Sequence, residues 1–497
     1  MSQQIDYFAI APPLALAVTA ALALLLDAFL PQRQQARTTM LGLVTLAGVL
    51  TALGFVVAQA VAGRELTTFC VPPAIDVLGL DPCSFVVDGF TLIFAGLVLA
   101  ASVVIVLMSM TELAGGAIPP GEWYFLLLCT LVGAVTLPAS RDLIMLLVAL
   151  ELVSLPVFAL TALKRYDGRA SEAAVKLFVV SVVSTAVMLF GLSLLYGMTG
   201  AVHLSELADA LGKGARAEAP VVTVGVVLVV AGFAFKIAAV PFHAWAADVY
   251  QGAPVPVAAL LSVVSKASGF AGLILVLVTA LPGQAGTWGP IAAIVSALTM
   301  TAGNLLALRQ RSAVRLLAWS SVAQSGYILA PLAVAGSPAA ASRAVGASVA
   351  YLVIYAAMNL GAFTVVLLVS RAAGRNELDD YRGLSHRSPA AGIALAFCLV
   401  CLAGLPPGLA GLFAKVFVFR AIVEGGAGWL ALVMAVNTVI GLYYYAVWAA
   451  RLFTPAAPRT LAAHRAPAAL WPAMGLSVTV AIVFSFAPQL VLDLASL

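Results

Sequence analysis

Four charged side chains interrupt long apolar stretches of the sequence, and their chemical types suit proton transfer. They are Glu151, Lys236, Lys266 and Lys415. If these stretches cross a membrane as helices, a rise of 1.5 Å per residue places each charge well inside the hydrocarbon, too deep to reach the headgroups easily. A buried charge there costs at least about 2.5–3.5 kcal/mol, so four of them need a physical reason.

Two explanations compete for these charges. Structural ion pairs could hold a bundle of helices together, but one acid can neutralise only one of three lysines. The other two must be hydrated, or must lose their protons because apolar surroundings disfavour the charged form. A lysine that ionises reversibly near neutral pH can take up and release protons, so we favour a proton relay over purely structural pairing.

The composition indicates which elements must position these residues. The chain has 497 residues, of which 63% are hydrophobic and only 9% are charged, and its mean hydropathy is +1.10. A soluble protein carries about a quarter charged residues. The sequence therefore predicts a polytopic membrane protein without a soluble domain.

Apolar segments repeat along the whole chain, and each is long enough to cross about 30 Å of hydrocarbon as a helix. Strands are not expected in these segments, because lipid does not tolerate open sheet edges and no alternating pattern is present. The first segment lacks the features of a removable signal peptide. We predict an all-α polytopic membrane protein with about fourteen transmembrane helices, near 8–30, 39–62, 85–110, 122–139, 142–163, 173–199, 219–248, 254–280, 288–308, 313–335, 344–370, 388–423, 428–450 and 468–490.

Proline and glycine interrupt two of these spans, each of which carries a lysine. Lys236 is followed by Pro241, and Lys415 is preceded by Gly404-Leu-Pro-Pro-Gly408. Such residues break a helix, which lipid permits only where protein or water satisfies the freed backbone groups. Broken spans 7 and 12 in corresponding positions predict two inverted five-helix repeats, spans 4–8 and 9–13. The predicted units are 1–121 (helices 1–3), 122–280 (first repeat), 288–450 (second repeat) and 468–497 (helix 14).

Basic residues are unevenly distributed between the two sets of alternating loops, which predicts an orientation. The set of loops that contains more basic residues marks the cytoplasmic side, so both termini are predicted to lie outside. That set holds Arg33, Arg37, Lys164, Arg165, Arg169, Arg309, Arg311, Arg315, Arg371, Arg375, Arg382, Arg387, Arg451, Arg459 and Arg465, whereas the other holds Arg64, Arg141, Lys213, Arg216 and Arg343.

Cysteines fall in two different settings. Cys70 and Cys83 share one outer loop, where the compartment is oxidising, so either a disulfide or two free thiols is consistent with the sequence. Cys398 and Cys401 form a CxxC pattern inside an apolar span without other ligands nearby. We interpret that pair as small apolar residues of a helix.

The densest functional pattern is Phe235-Lys-Ile-Ala-Ala-Val-Pro-Phe-His-Ala-Trp-Ala-Ala-Asp-Val-Tyr-Gln-Gly-Ala-Pro254. On this pattern and on most of its length, the sequence resembles subunit N of proton-translocating NADH–quinone oxidoreductase (respiratory complex I), in the antiporter-like membrane subunit family. The resemblance implies a proton path through Glu151 on span 5, Lys236 on span 7, Lys266 on span 8 and Lys415 on span 12. It also favours His243, two residues past Pro241, as a residue of the cytoplasmic proton entrance.

Departures from the family pattern affect the middle of this path. The family usually has Trp-Thr-Pro-Asp where this chain has Trp245-Ala-Ala-Asp248, and Gln324 replaces a common histidine on span 10. Glutamine can hydrogen-bond a chain of water molecules but cannot carry a proton as an imidazolium does. The sequence therefore leaves the route between Lys266 and Lys415 undetermined.

The implied mechanism needs other subunits. Glu151 stabilises protonated Lys236 when the two are close, Lys266 passes the proton through ordered water, and Lys415 releases it to the outside. Quinone reduction in partner subunits supplies the energy. The sequence has no nucleotide-binding glycine loop, Fe–S cysteine spacing or flavin motif. We therefore expect no cofactor in this chain, and expect FMN and Fe–S clusters in its partners.

The expected surroundings are those of a bacterial inner (plasma) membrane protein. Its partners would be the other membrane and peripheral subunits of complex I, with quinone bound by those subunits, and membrane lipids; no nucleic acid is expected. Three alternatives stay open: a subunit of an Mrp-type cation/proton antiporter, a membrane subunit of a related hydrogenase complex, and a structural scaffold. The scaffold predicts that replacing the lysines by methionine leaves activity intact.

Overall fold

The fold is known from a computed structural model that describes residues 5–29, 34–72, 82–212, 214, 217–373, 376–455 and 468–494. Six basic residues used to predict the orientation lie outside these ranges: Arg33, Lys213, Arg216, Arg375, Arg459 and Arg465. The last three residues of the predicted helix 14 also lie outside them.

Helices make up most of the described chain. They are α1 (Ala11–Phe29), α2 (Gln34–Ala62), α3 (Gly89–Leu113), α4 (Pro120–Thr136), α5 (Leu143–Ala162), α6 (Gly168–Thr199), α7 (Leu204–Ala210), α8 (Pro220–Lys236), α9 (Ala244–Gly252), α10 (Val255–Leu260), α11 (Lys266–Ile274), α12 (Ala285–Ala307), α13 (Ala313–Leu329), α14 (Pro338–Ser370), α15 (Leu384–Arg387), α16 (Pro389–Ala403), α17 (Leu409–Glu424), α18 (Gly428–Phe453), α19 (Leu470–Phe486) and α20 (Gln489–Leu494). Short π-helical segments, Leu261–Ser265 and Leu275–Ala280, flank α11.

These helices confirm an all-α polytopic membrane protein. Within the described ranges, ten helices are long and apolar enough to cross a membrane. Three further apolar helices are shorter: Pro220–Lys236, Pro389–Ala403 and Leu470–Phe486. The span Val255–Ala280 and α14 are almost entirely buried by other helices, whereas α1 and α6 expose most of their apolar residues. The first two therefore form the centre of the molecule.

A two-stranded hairpin precedes α3, and the sequence analysis does not predict it. Strand β1 (Leu66–Cys70) pairs antiparallel with β2 (Cys83–Val87), and a disulfide joins the facing residues Cys70 and Cys83. The third long helix consequently begins at Gly89, not near residue 85. The apolar alternation of β2 merges with the apolar helix that follows, so hydropathy alone does not separate them.

Side chains at the helix starts satisfy backbone N–H groups that a helix leaves free. Asp142 accepts hydrogen bonds from the amides of Ile144 and Met145, both at 2.8 Å, and so caps α5. Asp88 caps α3 in the same way through Thr91, at 2.9 Å. Each cap fixes where its helix begins, and hence the positions of the following residues along the helix axis.

Two helices break beside a lysine. The chain leaves the helical path after Lys236 and resumes it at Ala244; it does so again between Ala403 and Leu409. At the first break the Ser325 hydroxyl donates to the Ile237 carbonyl at 2.7 Å, and the Val240 amide donates to Thr299 at 2.9 Å. Neighbouring side chains thus satisfy the backbone groups that the break frees, as an apolar environment requires.

Close packing at the second break depends on a glycine. A Cβ atom at Gly411 would lie 1.8 Å from the carbonyl oxygen of Cys401, so any side chain must push the two half-helices apart. Gly475 of α19 has no neighbouring atom within 4 Å of such a Cβ. The two glycines therefore offer a matched pair for testing the break.

We expect Gly411→Ala to lower the melting temperature of the purified protein by several degrees, because the second break must open. Alanine is a better helix former than glycine by about 1 kcal/mol, so Gly475→Ala should leave the melting temperature unchanged or raise it. Thermal unfolding of the two variants side by side measures this. Equal melting temperatures would mean that the second break is not tightly packed.

Candidate functional site

The four charges do not form ion pairs with one another; Lys266 and Lys415 are buried, and Glu151 and Lys236 are half-buried. Among the described residues, no carboxylate lies within 4.0 Å of the ammonium groups of Lys236, Lys266 or Lys415. The Lys236 ammonium, at the end of α8, instead donates to the Ser154 hydroxyl at 2.5 Å. Glu151, one turn earlier on α5, accepts from the Thr185 hydroxyl at 2.8 Å. One helix therefore presents both the acid and the hydrogen-bond partner of Lys236.

A small cavity surrounds the Lys236 side chain and reaches the neighbouring span. Its volume is about 10 Å³, room for about one water molecule, and Ser265 lines it together with Ser154 and Ser181. Ser265 directly precedes Lys266. A Cβ at Gly269 would lie 3.0 Å from Cγ of Lys236, so α11 lies directly against the lysine stem. The first lysine is thus positioned between the helix of Glu151 and the helix of Lys266.

Lys266 is buried at the start of α11, where the helix is flanked by π-helical turns. Its ammonium donates to the carbonyl of Ser321 at 2.5 Å and to the Ser321 hydroxyl at 2.6 Å. The Tyr355 hydroxyl also donates to the Ser321 hydroxyl oxygen, at 2.9 Å. The centre of the tyrosine ring lies 5.9 Å from the Lys266 ammonium. An ammonium held by neutral oxygens and an aromatic face remains solvated without a counter-ion.

Helix α13 connects Lys266 with side chains of α14 and α18. Beyond Ser321, it presents Gln324, whose side-chain oxygen accepts from Tyr351 at 2.6 Å and whose amide donates to Tyr445 at 3.3 Å. Tyr445 also hydrogen-bonds Ser320. Gln324 therefore occupies a polar position with partners on α14 and α18. Although it cannot itself be protonated like histidine, it holds two phenols that can donate and accept.

Lys415 lies on the far side of this group, just after the break in span 12. Its ammonium donates to the carbonyls of Leu402 and Ala403 at 3.2 and 2.8 Å, two groups that the end of α16 leaves free. The ring centre of Tyr327 is 5.7 Å from the ammonium and stacks on Tyr351 with centres 6.0 Å apart. Aromatic and hydroxyl groups therefore bridge the distance between Gln324 and Lys415.

An amide pair extends the polar region to α12 and further along α18. The Asn304 amide donates to Tyr327 at 3.3 Å and to Asn437 at 3.2 Å, and Tyr444 donates to the Asn304 oxygen at 3.0 Å. Asn304 and Asn437 are not predicted from the sequence, because the argument from depth within an apolar span considers charged residues only. Uncharged amides within apolar spans are a weaker signal of the same kind, since their burial also requires partners.

His243 is separate from this line of side chains. It precedes α9 at the first break, and its ring centre lies 5.5 Å from that of Trp319. Its Nδ1 and the Trp319 Nε1 are both buried without a hydrogen-bond partner among the residues that the structure describes. Two unpartnered polar atoms beside one another can hold a water molecule.

The side-chain types gathered in this region limit the chemistry that it can carry out. In the ranges that the structure covers, no group of three or more His, Cys, Asp and Glu side chains is placed to hold a metal ion. The residues present are amines, hydroxyls, phenols and amides. Amines can bind and release protons, and the neutral groups can order water between them.

Comparison with known proteins gives consistent results. The family model described as NADH:quinone oxidoreductase/Mrp antiporter, TM, matches residues 140–441. A protein of Streptomyces griseus named NADH-quinone oxidoreductase subunit N 2 is 49% identical, with 99% of this chain and 94% of that protein covered.

Solved structures show the same fold. A chain of respiratory complex I from Thermus thermophilus superposes with a TM-score of 0.76 at 29% identity, covering 98% of this chain and 99% of the other. A chain of the Mrp complex from Dietzia sp. DQ12-45-1b gives a TM-score of 0.81 at 22% identity, covering 97% and 96%, which is a likeness of fold alone. With the family model matched over most of its length and a relative 49% identical along nearly all of it, the chain belongs to the NADH:quinone oxidoreductase/Mrp antiporter transmembrane family.

Proposed function

We propose that the chain is subunit N of a NADH–quinone oxidoreductase and translocates protons through Glu151, Lys236, Lys266 and Lys415. One observation carries the proposal: Lys266 and Lys415 are buried and Lys236 is half-buried, none has a counter-ion among the described residues, and neutral oxygens and aromatic rings link their positions. A scaffold gains nothing from such charges, because well-packed apolar residues would be at least as stable. A relay requires them.

At the level of the fold, we propose fourteen spans arranged as two inverted five-helix repeats. The ten long helices are supplemented by α13 with its 3₁₀ extension Ala330–Val334, by α19, and by the broken pairs α8–α9 and α16–α17. The site geometry supports the repeats: Lys236 of span 7 contacts span 5, and Lys415 of span 12 faces a ring on span 10.

The first step of the relay is an exchange at Lys236. Glu151 acts electrostatically on this lysine. Because the ammonium now donates to Ser154, the direct pair with Glu151 would form only when one of these side chains moves. Pairing with Glu151 stabilises the protonated lysine, and separation favours release of its proton through the cavity that Ser265 lines.

The second step is lateral transfer from Lys266 to Lys415. Ser321, Tyr355, Gln324 and the Tyr351–Tyr327 stack lie between them, and water ordered by these groups would complete the route. Lys415 would then release the proton to the outside. His243 would deliver protons at the cytoplasmic side through a water molecule held with Trp319.

The complex supplies what this chain lacks. Partner membrane and peripheral subunits of a bacterial plasma-membrane complex would bind quinone, FMN and Fe–S clusters, as the similarity to a subunit N and to a complex I chain supports. Both termini would face the outside, given the basic residues on the opposite side. An Mrp-type antiporter subunit is the alternative. It predicts sodium-dependent transport and no co-purification with Fe–S proteins.

We expect Lys236→Ala to reduce proton pumping and electron transfer by the assembled complex roughly tenfold or more, because the coupled proton loses an obligatory carrier. Lys164→Ala is the control, since Lys164 pairs with Asp167 at the surface, at 2.9 Å. Pumping and quinone reduction would be measured in vesicles, with assembly checked by native gel. Normal pumping in Lys236→Ala would refute the relay.

A second prediction concerns Gln324. Replacing it by leucine leaves the Tyr351 hydroxyl without its acceptor, so we expect Gln324→Leu to slow pumping roughly tenfold while the complex still assembles. Gln324→His can accept from the same phenol and should retain at least half of the activity. Proton pumping of both variants in the same vesicles provides the test. If Gln324→Leu pumps as fast as the wild type, Gln324 has no part in the lateral route.

A further inference from the structure

A charged cleft lies at one end of the helix bundle, apart from the buried lysines. It encloses about 620 Å³ between the start of α6, the end of α9 and the turn that connects α12 to α13. The charged residues that line it are Arg169, Glu172, Lys176, Asp248, Arg309, Arg311, Arg315 and Glu377. Basic residues outnumber acidic ones in this cleft.

Two of the acids are already neutralised within the cleft. Asp248 accepts from Lys176 at 3.2 Å and from Arg315 at 2.8 Å, and Glu172 pairs with Lys176 at 2.7 Å. Lys176 therefore forms ion pairs that join α6 to α9. Extension of its side chain towards the lipid headgroups does not by itself explain its position. The third acid, Glu377, accepts a hydrogen bond from the backbone of its own short helix.

Three arginines in the cleft remain without such partners. Arg169, Arg309 and Arg311 have no side-chain hydrogen bond or ion pair to any residue that the structure describes, and all three are exposed. Arg311 has only a longer-range influence, which helps to lower the pKa of Asp379 after the stronger hydrogen bond from Arg382. Three guanidinium groups that converge on one cleft favour a bound anion, because planar guanidinium matches phosphate geometry.

The depth of the cleft indicates which anion. Helix α6 has 32 residues and is about 48 Å long, which exceeds about 30 Å of hydrocarbon, so its first turns extend into the headgroup layer. Below the cleft, α6 exposes Val175, Phe178, Val179, Val182 and Val183 on its outer surface. A ligand with a phosphate group and apolar chains would fit both surfaces.

We propose that Arg169, Arg309 and Arg311 bind the phosphate of an anionic phospholipid, whose acyl chains lie along the exposed apolar face of α6. Basic pockets between transmembrane helices bind anionic headgroups in this way. The lipid would bridge α6 and α13, two helices that the ion pairs of Asp248 on α9 also connect. The proposal is independent of the proton relay.

The test uses the assembled complex in phosphatidylcholine nanodiscs that contain phosphatidylglycerol. Native mass spectrometry would count retained phosphatidylglycerol in the wild type and in the triple variant Arg169→Gln, Arg309→Gln, Arg311→Gln. The control triple variant is Arg165→Gln, Arg382→Gln, Arg387→Gln, which removes the same charge from the same side outside the cleft. We expect the cleft variant to weaken retention roughly tenfold or more and the control to change it less than twofold.

A photoactivatable phosphatidylglycerol added to the wild-type complex gives a second readout that does not depend on the variants assembling. Cross-links at Val175 to Val183 of α6 support the proposal. Cross-links elsewhere overturn it, as do equal losses in both triple variants or equal retention of phosphatidylcholine. Competition by inorganic phosphate alone would assign the cleft to free phosphate, and a partner subunit cross-linked into the cleft would assign it to a protein; either result overturns the lipid site.

Discussion

The structure depends on satisfying every polar group that is buried away from water. The hydrogen bonds from the Lys415 ammonium to the carbonyls of Leu402 and Ala403 meet this constraint. In hydrocarbon, neither a charge nor a free carbonyl is stable alone. The break in span 12 releases carbonyls at mid-membrane, and the lysine satisfies them. Each feature therefore stabilises the other at this break, whereas at the first break Ser325 and Thr299 satisfy the backbone groups.

Helix α13 extends this arrangement across the molecule. Ser325 satisfies the Ile237 carbonyl at the first break, Ser321 solvates Lys266, and Tyr327 faces Lys415. Ser321 and Ser325 are four positions apart and share one side of the helix, whereas Tyr327, two positions further on, faces a different side. A single buried helix thereby couples the two half-sites. A shift of α13 would alter the surroundings of all of them together, which a relay driven from other subunits needs.

The absence of ion pairs among the buried lysines has a chemical consequence. A lysine bound to a carboxylate keeps its proton, whereas one held by neutral oxygens and aromatic rings can exchange it with nearby water. Similar folds at 22% identity occur in a chain of an Mrp complex, so the helix arrangement alone does not specify function. The polar residues placed inside it do.

Apolar length, proline and depth within a span are local properties of the chain, so the membrane class, the two breaks and the four charges within apolar spans are predictable without a structure. The sequence did not predict the β1–β2 hairpin, the π-helical turns beside Lys266 or the roles of Asn304, Tyr327 and Tyr351. Those depend on which helices are neighbours, and many orientations satisfy the same hydropathy. Only tertiary packing decided that Lys236 meets Ser154 in place of Glu151 and that Gln324 meets two phenols, because hydrogen-bond partners far apart in sequence are chosen by helix packing.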